Sequence, residues 1–507
     1  MVHYHSNILI LRPAQRGAGK EKQMKIITYA NFGFEGNLVE AEALVRDGMP
    51  AFDVVGLAER NVAEVREVVR SAIERSGFQF PQKRVMVSLL PFDLRKDESM
   101  MLATALATLD AEQKICDDEV LVMGDLDPNG HVRTVAGIRA AVMEAKKAGI
   151  TKAVLPVDME IDGMETIVSA KLSEIVERLR NGDYKQTKAE EEAEDIVFDD
   201  SSLPSDEDLK GFAKDLRALS VAVAGKHNVL FYGKPGCGKT TLMKMIPSLT
   251  PNLTAEEAQA PARIKSIAGL VGMDSARIPP FRIPHPTASL EGICGGGANC
   301  RPGEMSLAHN GTLFLDEASE FRSSVLQMLR VPLEGKSITL SRAGRSTTYP
   351  ARFQLAMAVK PCPCGNYGEA DKICLCSTSA VSQYWRKLSA PLLSRVEIQH
   401  HVQKDASETE HATVSELREK IASAYRAQRK RGEYNAYLSR ERIESFGISE
   451  GAKAFLYSQT KDDGRSTLNA IRLARTIADM RGGDKIQSDD VREALGLANP
   501  HISLGFN

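Results

Sequence analysis

The chain has 507 residues, which at roughly 150 residues per domain predicts about three domains. Hydrophobic residues make up 43% and charged residues 26% of it. A wholly disordered chain is therefore excluded, and no apolar run approaches the roughly 18 residues of a membrane helix. The formal net charge of -2 excludes a uniformly basic nucleic-acid binder, and eight cysteines are too few for a disulfide scaffold.

The first part of the chain has the pattern of an α/β domain. Residues 1–23 look unlike the segment after them, and we predict a flexible N-terminal extension, with Met24 as an alternative start. From Met24 onward the chain combines apolar runs typical of buried strands, such as Val85–Leu90, with helical spacing, as in Val62–Ser76. One α/β domain is therefore predicted over residues 24–182.

An acidic segment separates this domain from the rest. Between Glu190 and Asp208 there are ten acidic residues and no basic ones, and such a run repels itself and buries little apolar surface. We predict an extended linker over residues 183–208, a second folded unit over 209–402 and a helical domain over 403–507. Without the acidic run the chain is net basic by eight, which leaves room for a cationic surface.

A phosphate-binding loop follows a short apolar strand in the second unit. Residues 228–232 lead into Gly233-Lys-Pro-Gly-Cys-Gly-Lys-Thr240 and then into helical spacing, the context that makes G-x-x-x-x-G-K-[ST] specific. The glycines let backbone N–H groups converge on phosphate oxygens at a helix N-terminus. Lys239 would contact the β- and γ-phosphates, and Thr240 would ligate Mg²⁺. The predicted nucleotide-binding residues of the loop are Gly233, Lys234, Pro235, Gly236, Cys237, Gly238, Lys239, Thr240 and Thr241.

Two carboxylates follow the next clear strand pattern. The run Gly311-Thr-Leu-Phe-Leu ends in Asp316 and Glu317. An acid at this place suits the Mg²⁺ shell, and its neighbour suits deprotonation of the attacking water. Together with the loop, the pair predicts ATP hydrolysis, with Asp316 binding the nucleotide's Mg²⁺ and Glu317 as the catalytic base. Cys237 of the loop is either a small packing residue or a redox-sensitive thiol.

Half of the chain's cysteines lie within fifteen residues, as Cys362, Cys364, Cys374 and Cys376. Four thiolates in the pattern C-x-C-x₉-C-x-C suit a tetrahedral, structural Zn²⁺ site. The alternative is a loop of free thiols without metal, whereas a disulfide is disfavoured in a reducing compartment.

Longer runs around these motifs resemble a known family. Residues 301–317, 350–355, 361–365 and 474–479 are similar to the ComM/YifB-type Mg-chelatase-like AAA+ ATPases, and the resemblance extends over nearly the whole chain from Met24. It implies a bacterial, cytoplasmic homo-hexamer that hydrolyses ATP and drives DNA branch migration in recombination or natural transformation. The fold it implies is α/β, with an AAA+ P-loop parallel-sheet core and a C-terminal helical lid.

The resemblance also assigns catalytic roles to single positions. Arg395 matches the arginine finger that stabilises charge on a neighbouring subunit's γ-phosphate, and Arg465 matches the sensor-2 arginine. Either arginine could instead be an ordinary surface or ion-pair residue. Lys360 stands where the family has the sensor-1 asparagine, and a lysine cannot copy an amide because it lacks an acceptor. The expected catalytic set is Glu317, Lys239, Arg395, Arg465 and Lys360, with hydrolysis slowed or retuned by the lysine.

The N-terminal domain resembles the proteolytic domain of Lon proteases over residues 123–149. That domain uses a Ser–Lys dyad. Arg139 occupies the position of the lysine and cannot act as a base, so Ser99 lacks a partner. We predict a Lon-like, non-proteolytic domain available for DNA or partner contacts.

A motor on DNA needs basic or polar loops that contact phosphates. One candidate is residues 281–289, with Arg282 and His285. The other is the hairpin pattern of residues 337–349, with Arg342 and Arg345 beside an Ala-Gly turn. The alternative for the hairpin is a solvated surface element, and the basic run from residue 418 to 431 is interpreted as a solvated helix face.

Two rival functions stay open. The first is a Mg-chelatase motor subunit, which inserts Mg²⁺ into a porphyrin and would share the AAA+ core. We expect chelatase motors to resemble this chain in that core only, and not in the N-terminal domain. A nucleotide-gated scaffold with weak turnover is the other rival, and Lys360 is its only motivation.

Overall fold

The computed structural model describes residues 24–34, 36–57, 59–92, 96, 100–159, 163–186, 196–201, 209–270, 277–342, 345–367, 372–403, 413–460 and 464–498. Those within 1–30 and 37–189 form one compact unit, and those within 31–36 and 190–507 form a second. The predicted N-terminal extension, residues 1–23, lies outside the described residues. No helix in the described part of the chain is long and apolar enough to cross a membrane.

The first unit is built on an eight-stranded mixed sheet with strand order β10-β9-β8-β5-β1-β2-β4-β3. The strand predicted at Val85–Leu90 is β4, and its valines and Leu89 alternate into the core. The strands are β1 (Lys25–Ala30), β2 (Asn37–Arg46), β3 (Ala51–Val55), β4 (Arg84–Leu90), β5 (Glu119–Val122), β6 (Asp125–Leu126), β7 (Val132–Arg133), β8 (Lys152–Leu155), β9 (Glu165–Val168) and β10 (Lys185–Gln186). The helices are α1 (Glu59–Arg75), α2 (Met101–Gln113), α3 (Ile138–Lys147) and α4 (Leu172–Asn181).

The second unit contains a five-stranded parallel sheet with strand order β12-β15-β18-β11-β19. Its three central strands, β15, β18 and β11, are buried along their whole length, as expected for a parallel sheet covered on both faces. The strands of this unit are β11 (Val229–Tyr232), β12 (Phe281–Arg282), β13 (Gly295–Gly296), β14 (Arg301–Pro302), β15 (Thr312–Leu315), β16 (Ser337–Arg342), β17 (Arg345–Pro350), β18 (Gln354–Val359) and β19 (Ile398–His401).

Helices cover this sheet and form the C-terminal part of the chain. Leu417, Ile421 and Ile471 of the C-terminal helices share one apolar core with Leu216 and Phe231. The predicted helical lid is thus packed on the core of the sheet. The helices are α5 (Ala213–Gly225), α6 (Lys239–Lys244), α7 (Ile246–Leu249), α8 (Ala255–Ile267), α9 (Leu290–Cys294), α10 (Glu304–Leu307), α11 (Ser323–Met328), α12 (Arg330–Gly335), α13 (Thr378–Arg386), α14 (Ala390–Leu393), α15 (Val414–Arg431), α16 (Arg440–Ser445), α17 (Glu450–Thr460), α18 (Gly464–Met480) and α19 (Ser488–Ala498).

Part of the acidic segment is docked, which corrects the prediction of a uniformly extended linker. The carbonyl of Val197 accepts a hydrogen bond from the backbone N–H of Asn252 at 2.8 Å. Arg418 of α15 donates to the Asp200 carboxylate at 2.6 Å and to the Asp199 carbonyl at 2.8 Å. Arg418 is therefore an ion-pair residue rather than part of a solvated basic face. The predicted linker residues 187–195 and 202–208 lie outside the described residues.

Candidate active site

The phosphate-binding loop connects the carboxyl end of β11 to the start of α6. Gly238 has a φ of +99°, and a Cβ there would lie 2.6 Å from the ring of Phe212, so only glycine fits. The Nζ of Lys239 donates to the carbonyl oxygens of Gly233 and Lys234, both at 2.8 Å. This places the ammonium inside the loop, as the spacing predicts.

Cys237 is a residue of this loop. Its side chain is buried, its sulfur is 3.6 Å from the Nζ of Lys239, and burial raises the pKa of the thiol. Because a thiol held in its neutral form is a poor nucleophile, the geometry favours the packing residue over the redox-sensitive thiol.

Thr240 and Asp316 meet at the carboxyl edge of the sheet. The hydroxyl of Thr240 is 3.1 Å from both carboxylate oxygens of Asp316. Strands β11 and β15 both flank β18, which explains why residues far apart in sequence converge there. A hydroxyl and a carboxylate side by side are the oxygen ligands that Mg²⁺ prefers, so the pair fits the predicted Mg²⁺ position. Thr241, the next residue, is exposed.

Glu317 and Lys360 form an ion pair at the same edge. The backbone of Glu317 is left-handed, with a φ of +49°, and its Oε1 is 2.9 Å from the Nζ of Lys360, which follows β18. The hydrogen bond to Glu317 raises the pKa of Lys360. The predicted catalytic base is thus held by a cation from the neighbouring strand.

The four clustered cysteines lie in the segment after Lys360. The sulfur of Cys362 is 3.3 Å from that of Cys364 and 3.7 Å from that of Cys374, and all four sulfurs lie within 4.8 Å of one another. Four sulfurs at about 2.3 Å from one zinc ion would be roughly 3.8 Å apart, so the set fits a tetrahedral Zn²⁺. A Cβ on Gly365 would lie 2.7 Å from Pro235, so this segment packs directly on the phosphate-binding loop.

Arg395 and Arg465 lie together, but at the opposite edge of the sheet. The carbonyl of Arg395 accepts from the Asn228 side chain, at the amino end of β11, and Arg465 donates to the hydroxyl of Ser394 at 2.8 Å. Burial, and then the charges of Arg465 and Arg330, lower the pKa of Arg395. Its guanidinium is paired with Glu334.

The predicted DNA contacts have different surroundings. Arg282 forms a two-point ion pair with Glu304, at 2.6 and 2.8 Å, so the structure gives no support to Arg282 as a DNA contact. His285 is exposed. The predicted hairpin is present as β16 and β17, with Arg342 exposed and directly opposite Arg345.

Of the two positions that match the Ser–Lys dyad of Lon proteases, the structure describes only one. Arg139 lies in α3 of the first unit, and Ser99 lies outside the described residues. The sequence does not reveal the ion-pair partners of Arg282 and Arg395, namely Glu304 and Glu334, because no motif spacing marks them.

Models of the magnesium chelatase family match most of the chain. The model described as magnesium chelatase, subunit ChlI, matches residues 206–410, and the model of its C-terminal part matches 411–498. The chain is 33% identical over 496 residues to the competence protein ComM of Haemophilus influenzae, covering 93% of this chain and 96% of that protein. It belongs to the ComM/YifB-type Mg-chelatase-like AAA+ family. This AAA+ ATPase is also 34% identical over 491 residues to YifB of Escherichia coli, covering 92% of this chain and 95% of YifB.

Two further matches refine the comparison with the family. The model described as subunit ChlI of Mg-chelatase matches residues 39–159, so the expectation that chelatase motors resemble only the core is not supported. The zygotic DNA replication licensing factor mcm6 of Xenopus tropicalis is 24% identical over 305 residues, covering 55% of this chain and 33% of that protein. The family implies the use of ATP and Mg²⁺, in agreement with the Thr240–Asp316 geometry.

Proposed function

We propose that this protein is a cytoplasmic homo-hexameric motor that hydrolyses ATP, translocates on DNA and promotes branch migration. The observation that carries the proposal is the convergence of Lys239, Thr240, Asp316 and Glu317 at one edge of the parallel sheet. Near-full-length similarity to a competence protein supports the DNA part.

The residues suit an in-line hydrolysis step. Glu317 takes a proton from water, the water oxygen bonds to the γ-phosphorus, and the bond to the bridging oxygen breaks to leave ADP and phosphate. Lys239 binds the β- and γ-phosphates, and the loop amides orient them. Mg²⁺ held by Thr240 and Asp316 would neutralise phosphate charge.

The position of the two arginines supports a ring. They lie at the amino end of β11, whereas the phosphate-binding loop lies at its carboxyl end, roughly 13 Å away for four residues at about 3.3 Å each. We therefore infer that Arg395 and Arg465 act on the nucleotide of a neighbouring subunit.

The hairpin β16–β17 is the favoured DNA contact. Arg342 is exposed, and its partner position in the register is Arg345. Two arginines at paired positions of a two-stranded ribbon suit contacts with the phosphates of a DNA strand, which do not read its bases. His285 is a second, weaker candidate.

We further propose that Cys362, Cys364, Cys374 and Cys376 bind a structural Zn²⁺. Their mutual sulfur distances fit a single tetrahedral ion. All four positions are taken by protein ligands, so the ion would hold the segment in place and would not take part in hydrolysis.

Phosphate release measured with no DNA, single-stranded DNA, duplex and a four-way junction tests the motor. We expect junction DNA to stimulate turnover, and Glu317→Gln to lower it by about 10²–10⁴-fold.

Arg342→Ala and Arg345→Ala should each weaken DNA binding and reduce the slope of its salt dependence by about one, whereas Arg386→Ala, which replaces an exposed arginine of α13, should not. Unstimulated turnover together with unchanged DNA binding in Arg345→Ala would refute the DNA motor.

The second candidate is a nucleotide-gated scaffold with weak turnover. The Lys360–Glu317 pair favours it, because a paired base is less available to water. Equally slow phosphate release by the wild type and Glu317→Gln, with nucleotide bound in both, would select the scaffold. Co-purification of a large porphyrin-binding partner would instead select the chelatase subunit.

A further inference from the structure

The backbone around Lys360 is firmly held, whereas its side chain is partly exposed. The preceding strand β18 is buried along its length, and the indole N–H of Trp385 donates to the carbonyl of Pro361 at 2.9 Å. The side chain of Lys360, by contrast, is 34% exposed and ends on Glu317, which is 52% exposed.

The chemistry of this pair differs from that of an amide at the same place. An ammonium only donates hydrogen bonds, so Lys360 cannot accept one from a water molecule. A γ-phosphate carries more negative charge than one carboxylate and offers several acceptor oxygens. Lys360 and the phosphate-binding residues lie at the same carboxyl edge of the sheet, so a bound γ-phosphate would compete with Glu317 for the lysine.

We propose that Lys360 is a positioning residue that restrains Glu317 until ATP binds and then transfers to the γ-phosphate, which releases the base. This inference rests on the nucleotide binding of the proposed function and adds a control step to it. ADP lacks the γ-phosphate and leaves the Lys360–Glu317 pair closed. The base is therefore freed only in the state that has a bond to hydrolyse.

The Lys360–Glu317 ion pair is partly exposed to solvent, and this exposure limits how much its opening can change nucleotide affinity. Exposed ion pairs couple by about 0.2–1 kcal/mol, so opening one on binding changes affinity by at most about fivefold. Glu317→Ala removes the competitor for Lys360 and also removes repulsion between the carboxylate and the phosphate. The repulsion persists when Lys360 is replaced by Met, so the difference between the two backgrounds isolates the opening of the pair.

The test is a double-mutant cycle of nucleotide binding in the full chain, with the β,γ-imido analogue of ATP and with ADP. We expect Glu317→Ala to tighten the imido analogue about two- to fivefold more when residue 360 is Lys than after Lys360→Met. ADP should show no such difference. Lys360→Arg should retain the difference because it keeps the charge, and Glu320→Ala, which removes a nearby exposed carboxylate without touching the hydrogen bond, should not reproduce it.

Two results would overturn the inference: equal effects of Glu317→Ala in both backgrounds, or the same difference with ADP as with the imido analogue. The cycle measures nucleotide binding and needs no hydrolysis. Failure of this inference can therefore be told apart from failure of the proposed function. If wild type releases phosphate no faster than Glu317→Gln, hydrolysis fails while the cycle still reports on the pair. If neither the imido analogue nor ADP binds, both this inference and the proposed function are wrong.

Discussion

Glu397 and Arg395 are two residues apart at the amino end of the sheet. Burial shifts the pKa of both side chains, upward for Glu397 and downward for Arg395. Glu397 is fully buried, and its carboxylate accepts from the backbone N–H of Asn228 at 2.9 Å. Burial raises the pKa of Glu397 to about 7, against an ordinary value of 4.5. The segment that presents Arg395 is therefore held by a carboxyl group that prefers to be protonated.

This raised pKa predicts a pH-dependent stability. Below about pH 4.5 Glu397 is protonated in both the folded and the unfolded chain. As the pH rises to about 7 the unfolded chain loses the proton first, so the folded state loses up to about 3 kcal/mol, and the loss then levels off. Glu397→Gln keeps an acceptor for Asn228 and does not titrate. Urea unfolding at pH 5 and pH 8 should show the variant gaining stability over wild type at pH 8, and parallel curves would contradict this.

The residues of the candidate active site were predictable to different degrees. Lys239 and Thr240 are set by local spacing, because a strand, a glycine-rich loop and a helix connect in few ways. The pairing of Lys360 with Glu317 depends on which strands are neighbours in the sheet, which spacing does not reveal. Docking of residues 196–201 depends likewise on Arg418, more than two hundred positions away along the chain.

At the scale of elements, the cysteine-containing segment links two parts of the candidate active site. It begins directly after Lys360, and Gly365 touches Pro235 of the phosphate-binding loop. A metal ion that fixes Cys362 and Cys364 would therefore fix this contact as well. Its structural role would extend to the shape of the nucleotide site.

Removal of zinc is accordingly expected to weaken ATP binding. Chelation or Cys374→Ser should raise the dissociation constant for ATP by roughly fivefold, equivalent to about 1 kcal/mol, because the support of Pro235 is lost. Nucleotide titration combined with elemental analysis measures both quantities, and added zinc should restore the chelated protein. Cys116→Ser, in the first unit and outside the cluster, is the matched control. Protein purified without zinc, or unchanged affinity after its removal, would count against this role.

At the scale of the whole molecule, the proposed catalytic groups are divided between the two ends of one parallel sheet. The base and the phosphate-binding loop lie at the carboxyl ends of the strands, and Arg395 and Arg465 lie at the amino ends. The C-terminal helices share the core beneath that sheet. In the proposed ring, a single copy would present an incomplete nucleotide site at each end, and repeated head-to-tail contacts would complete it.

Mixing two inactive variants tests this division. Lys239→Ala removes nucleotide binding and keeps Arg395, whereas Arg395→Ala keeps the binding loop and removes the finger. Each alone should lose ATP hydrolysis, the second by about 10³-fold or more. In an equal mixture about a quarter of the subunit contacts join an intact loop to an intact finger, so hydrolysis should return to about that fraction of wild type.

The control is a mixture of Lys239→Ala with Glu317→Gln, which puts both defects on the same side of the contact and should stay inactive. Arg395→Ala protein that hydrolyses ATP alone, or a first mixture that stays inactive although the copies assemble, would show that the finger does not act between subunits.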